Sequence, residues 1–176
     1  MAHVCIVQGS PRSPSRSETI ASHLARCLEE AGHGAEVITT RSLPAQALVQ
    51  GDHEAPEIAR AIASLEKAQA LIAITPIYKA QAAGTLKVFL DLLPQEALAN
   101  KGALAIASGA ALAHALALDF AIKPIFFALA AESVFAGAFL LDGALPKKEG
   151  GYAIGDEAQQ SLSRALAPFI SWLKRR

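Results

Sequence analysis

The sequence predicts an α/β domain in which a parallel sheet is covered by helices on both faces. Short apolar runs alternate with longer segments of helical periodicity, and turn residues fall at the joins. The runs are apolar throughout, as in strands buried on both sides.

The first strand is expected at 3–8 (HVCIVQ), and a helix at 17–31 stops at Gly32 and Gly34. A second strand at 35–40 leads into the polar connection 41–54 (RSLPAQALVQGDHE), read as a surface loop or a subunit contact. Then come a helix at 55–67, a strand at 69–75, a helix at 83–93 closed by Pro94, and a strand at 102–107. A helix at 113–129, a strand at 132–140 and a helix at 156–174, preceded by Gly150 and Gly151, complete the chain. No linker or repeat divides residues 1–176, so a single domain is expected.

Composition narrows the function. With 52% hydrophobic and 18% charged residues, the chain is more apolar than a typical soluble monomer, and some of that excess is expected in a subunit interface. Segment 113–130 is the candidate: it is apolar around most of its circumference, with Asp119 and Lys123 its only charges. Alternatively, its alanines simply tolerate exposure. Sixteen basic and sixteen acidic side chains cancel, which excludes a field that attracts nucleic acid or acidic membranes. Cys5 and Cys27 lack metal-ligand or CxxC spacing and read as reduced core or near-core thiols. The start of the chain does not read as a signal peptide, and the uncharged run 102–118 is interrupted by Ser108, Gly109 and His114. A soluble cytoplasmic protein is expected.

The loop after the first strand, Gly9-Ser10-Pro11-Arg12-Ser13-Pro14-Ser15-Arg16-Ser17, sits where ligands bind in open parallel sheets, beyond a strand's carboxyl end and at the positive end of the next helix. Four serines, two arginines and free backbone amides make a cradle for a single phosphate. Alternatively, Ser15 caps the helix and Glu18 closes a capping box, with no ligand in the loop. Neither GxGxxG nor GxxxxGK[ST] occurs, which disfavours a standard dinucleotide fold and a P-loop NTPase.

Beyond the third strand, Pro76 stiffens the chain and Tyr78 offers a flat amphipathic surface for a heterocycle, unless Tyr78 packs on the protein. Beyond the fourth, Ser108-Gly109-Ala110-Ala111 is small enough for a planar ligand to lie on the main chain. His114, on an apolar helix, reads as a satisfied structural histidine before an acid or base. An anion cradle, a flat edge and a small-residue platform point jointly to flavin mononucleotide, FMN.

The motifs GSPRxPSRS at 9–17, TPxYKAxxxGxLKxxLDLLP at 75–94 and AHxLAxD at 113–119 resemble the NADPH-dependent FMN reductase family, particularly its branch serving alkanesulfonate monooxygenases. The resemblance implies a flavodoxin-like three-layer sandwich whose five-stranded parallel sheet has order 2-1-3-4-5. It implies an oxidoreductase, a flavoprotein that passes a hydride from NADPH or NADH to FMN and supplies reduced flavin to a partner monooxygenase in sulfonate metabolism. It also implies a homodimer or homotetramer. Ser10, Arg12, Ser15 and Ser17 would hold the phosphate. Pro76, Ile77, Tyr78 and Lys79 would line the isoalloxazine, with Ser108 and Gly109 at its other edge. No catalytic side chain or metal is required, because the cofactors carry the chemistry.

Two departures stand out. Gly109-Ala110-Ala111 replaces the family's two glycines and small polar residue. Phe120 stands where the sulfonate branch often has a tyrosine that makes a π-bulge near the subunit interface and stacks near the flavin; by that resemblance Phe120 is expected to keep the bulge and the stacking, to lose the hydroxyl's hydrogen bond, and to bias how long flavin stays bound. The alternatives are an FMN-containing quinone, azo or metal-ion reductase, a flavodoxin-type electron carrier whose expected acidity is missing, or an interaction protein without a flavin site.

Overall fold

Alternation of side chains along each strand divides the core into two halves, one on each face of the sheet. The computed structural model describes residues 1–176. Its strands are β1 (His3–Gln8), β2 (Gly34–Thr39), β3 (Ala70–Tyr78), β4 (Gln81–Ala82), β5 (Gly102–Gly109), β6 (Ser133–Val134), β7 (Ala138–Leu141), β8 (Lys147–Lys148) and β9 (Gly151–Tyr152). The helices are α1 (Arg16–Glu30), α2 (Ala45–Gln50), α3 (Pro56–Lys67), α4 (Gly84–Asp91), α5 (Lys123–Ala128) and α6 (Asp156–Leu173).

Val4 and Ile6 of β1, Ile72 and Ile74 of β3, and Leu104 and Ile106 of β5 pack with α1 and α6 on one face. Cys5, Val7, Leu71, Ala73, Ala103 and Ala105 pack with α3, α4 and α5 on the other. The two helical layers enclose a parallel sheet of order β2-β1-β3-β5, with β6 paired to the start of β5 and β7 to its end. Counting β6 and β7 as the fifth strand recovers the expected flavodoxin-like order. Cys5 is fully buried, and burial pushes its thiol up to about 12. No helix is long and apolar enough to cross a membrane.

Four expectations change. The strand expected at 132–140 is broken at 135–137: Gly137 takes φ +80°, and Phe135 turns to meet Phe169 and Trp172 of α6 edge-on. The helix expected at 113–129 is three pieces, a 3₁₀ turn at Leu112–Ala115, a π-helical turn at Leu118–Ile122 that holds the bulge expected at Phe120, and α5. Pro124 has no N–H to give to the Phe120 carbonyl, and the Lys123 amide reaches back five residues to Leu118. The connection 41–54 contains α2, which buries Ala47 and Leu48 and stops at Gly51. It is under two turns long, too short to show helical periodicity. Finally, β3 runs beyond 75 to Tyr78, and two hairpins, β3–β4 and β8–β9, stand where loops were expected.

At the end of β1, Gly9 donates to the Ile74 carbonyl (2.8 Å) and passes directly under α4. A side chain there would place its Cβ 2.4 Å from Leu86 Cβ. Gly9→Ala is therefore expected to destabilise the domain by about 3 kcal/mol through overpacking, read as a lower urea midpoint.

At the opposite end of the sheet, His33 is buried and its Nδ1 accepts the Ala2 amide at 3.4 Å. Burial, reinforced by nearby positive charge including Lys174, holds its pKa below the ordinary value, and burial does the same to His23. The unfolded chain takes up these protons first as pH falls below about 6.5, so the stabilisation is complete above that pH and lost below it. Tm should fall between pH 7.5 and 5.5, and His33→Asn should flatten part of that slope.

Candidate functional site

Helix α1 begins with a reciprocal cap. Ser15 Oγ accepts the Glu18 amide (3.2 Å), and Glu18 Oε2 accepts the Ser15 amide (2.9 Å) and the Ser13 hydroxyl (3.1 Å). The amides of Arg16 and Ser17 have no acceptor in the chain and form the positive end of the helix. Ser10 shapes the approach: its amide donates to Gln8 Oε1 (3.0 Å), and its hydroxyl accepts the Arg12 amide (3.2 Å). Ser17 is 1% exposed, yet its hydroxyl has no hydrogen-bond partner. A buried, unpaired hydroxyl beside two free amides suits an anion.

These residues border a cavity of about 300 Å³ beyond the carboxyl ends of β1, β3 and β5. Of the residues expected from sequence, Ser10, Arg12, Ser15, Ser17, Pro76, Ile77, Tyr78, Ser108 and Gly109 line it together. Lys79 is outside, at the tip of the β3–β4 hairpin, and Phe120 is outside on the π-helical turn, 78% exposed.

Next to Pro76 in β3, the buried Thr75 hydroxyl accepts the Ala83 amide and donates to the Pro76 carbonyl, both at 2.9 Å. This ties the start of α4 to the strand end and leaves Tyr78 half-open at 43% exposure. The turn between Tyr78 and Gln81 has positive φ at both Lys79 (+52°) and Ala80 (+62°). Two-residue hairpins of that kind ordinarily use Asn or Gly, and each non-glycine residue there carries about 1 kcal/mol or more of strain.

Sequence reasoning missed Asp142 and Tyr152, which come from the segment after β7. The strand-end rule, applied to the last strand, points to Asp142. Tyr152 carries no local signal. Both hold Arg16: Asp142 Oδ2 lies 3.5 Å from its Nη1, the Tyr152 ring centre is 4.6 Å from its guanidinium carbon, and the Leu145 carbonyl accepts its Nε at 3.3 Å. His114 is not the satisfied histidine expected. It borders the cavity, and its Nδ1 is buried without a hydrogen-bond partner. Ala110 also lines the cavity but Ala111 does not, so only one of the two alanine departures meets the site.

FMN fits this donor set: one anion site built from a helix start and serines, joined to a slot edged by Tyr78 and floored by Ser108 and Gly109. Residues 2–145 match the family described as NADPH-dependent FMN reductase. The chain belongs to that family.

Within it, the chain is 38% identical to FMN reductase (NADPH) of Pseudomonas putida strain KT2440, over 84% of this chain and 75% of that protein. It is 34% identical to FMN reductase (NADPH) of Escherichia coli K12, over 98% and 91%. A crystal structure of NADH:FMN oxidoreductase (EMOB) in its apo form superposes with a TM-score of 0.83 at 30% identity, over 97% of this chain and 89% of that one. This family member is accordingly an oxidoreductase of the class that uses FMN with NADPH or NADH.

The hairpin strain gives a test. Ala80→Gly removes a side chain from a left-handed position and is expected to stabilise the domain by about 1 kcal/mol, a rise of a few degrees in Tm by calorimetry.

Proposed function

We propose that this chain is an NAD(P)H-dependent FMN reductase that binds FMN reversibly and supplies reduced flavin to a partner monooxygenase. The observation that carries the binding mode is Ser17: a buried hydroxyl with no partner, next to the unpaired amides at the start of α1. Ser10, Arg12, Ser15 and Ser17 hold the phosphate. Pro76, Ile77, Tyr78 and, from the hairpin tip, Lys79 edge the flavin ring, and Ser108 and Gly109 lie at its other edge. FMN, when bound, supplies the hydride-accepting chemistry. The chain's part is to fix position and exclude water, and no side chain has to act as acid or base.

The motif resemblance to the sulfonate branch supports a cytoplasmic role in organosulfur metabolism. Assembly as a homodimer or homotetramer uses the face carrying Leu112, Leu116, Phe120 and Phe127, which are large, apolar and exposed. All four fall on the run of chain that passes from the 3₁₀ turn through the π-helical turn into α5. This face is where the apolar excess of the composition is used.

Oxidation of NADPH and of NADH, followed with and without added FMN, FAD and riboflavin, tests the reading. Steady turnover that requires added FMN, from protein that purifies colourless, is the expected result. Yellow protein that turns over with a quinone and no added flavin would instead make FMN a resident group.

A further inference from the structure

Arg16 joins two parts of the site. It is the first residue of α1, and its side chain crosses to the segment that follows β7. Its Nε donates to Leu145, its Nη1 faces Asp142, and its flat face lies on Tyr152, while Nη2 makes no hydrogen bond to the protein. A guanidinium fixed on three sides with one amino group open is ordered before a ligand arrives, which lowers the entropic cost of binding an anion.

The three contacts differ in how they respond to an incoming phosphate. The Asp142 carboxylate competes with it for the same cation. The Tyr152 ring does not, because a cation on an aromatic face keeps its N–H edge free. Tyr152 also stands, with Pro14 and Ser15, between the cavity and a second one of about 460 Å³ that holds Arg26 and Lys148. Losing the ring opens Arg16 toward that second cavity. Tyr152 lies on β9, beyond the residues 2–145 that match the family, and is held in place by pairing with Lys147.

We infer that Tyr152 is a positioning residue for phosphate recognition: it holds Arg16 against the phosphate end of the flavin site, so that FMN is selected over riboflavin. The inference rests on the proposed placement of the phosphate at the start of α1.

The test is flavin binding by fluorescence quenching, with FMN and with riboflavin, on the full chain. Tyr152→Leu should raise the FMN Kd by about 5- to 10-fold, the scale of a partly desolvated cation–π contact. It should leave the riboflavin Kd unchanged, and Tyr152→Phe should stay within about twofold of wild type. In an Arg16→Gln background, Tyr152→Leu should have no further effect. Riboflavin binding reports that the variant is folded. If Tyr152→Leu does not fold, Tyr152→Gln, suited to a partly exposed hairpin, takes its place.

Equal weakening of both flavins, no change in either, or a full effect without Arg16 would overturn the role of Tyr152. Wild-type protein that binds FMN no better than riboflavin, together with Ser17→Ala that leaves FMN binding unchanged, would instead overturn the phosphate placement and the inference with it.

Discussion

The reciprocal hydrogen bonds between Ser15 and Glu18 set the direction and starting point of α1, and the rest of the anion end follows from them. Capping and anion binding looked like rival uses of one loop. In the structure they employ different groups. The cap consumes the amides of Ser15 and Glu18 and leaves unpaired those of Arg16 and Ser17 between them, two residues that line the cavity. Glu18 additionally gathers Ser13 and approaches Arg41, so the turn is braced from outside. A frayed start would lose the alignment on which both the free amides and the buried Ser17 hydroxyl depend.

That helix start is useful only because the sheet delivers it to the same edge as two other loops. Parallel strands end at one side, and right-handed crossovers return the chain to the other, so the segments after β1, β3 and β5 converge without long-range design. Gly9 and Thr75 refine this convergence. One lets β1 exit beneath α4, and the other pins the first turn of α4 to the end of β3. The cavity is thus a by-product of strand polarity, adjusted by a few close contacts.

Sequence periodicity located the buried strands well because Val4 to Val7, Leu71 to Ile74 and Ala103 to Ala107 are apolar on both faces, an unmistakable mark of a central parallel strand. It failed where geometry is decided by single backbone groups. The π-helical turn at Phe120, legible through the family resemblance and not through periodicity, accompanies the missing amide of Pro124, and the break before β7 follows from the conformation of Gly137. Neither alters an apolar count over a window. The site divides in the same way. Ser10, Arg12, Ser15, Ser17, Pro76, Tyr78 and Ser108 lie next to strand ends and could be found by position. Asp142 follows the end of β7 and is reachable by the same rule, whereas Tyr152 reaches the cavity only because the β8–β9 hairpin brings distant chain back to it, a tertiary fact with no local trace. Lys79 follows directly on the residues that line the cavity, yet the turn with two positive φ values sets it outside, at the tip of the β3–β4 hairpin.

Cys5 sits in the middle of β1, walled in by the α3 and α4 side of the sheet. With a thiol held at about 12, only a fraction on the order of 10⁻⁵ is thiolate at neutral pH. Thiolate is the nucleophilic form that attacks peroxides and disulfides. The sulfur at the centre of the sheet is thus held as a protonated thiol and serves the strand as a small apolar side chain, packed like the valines and isoleucines beside it.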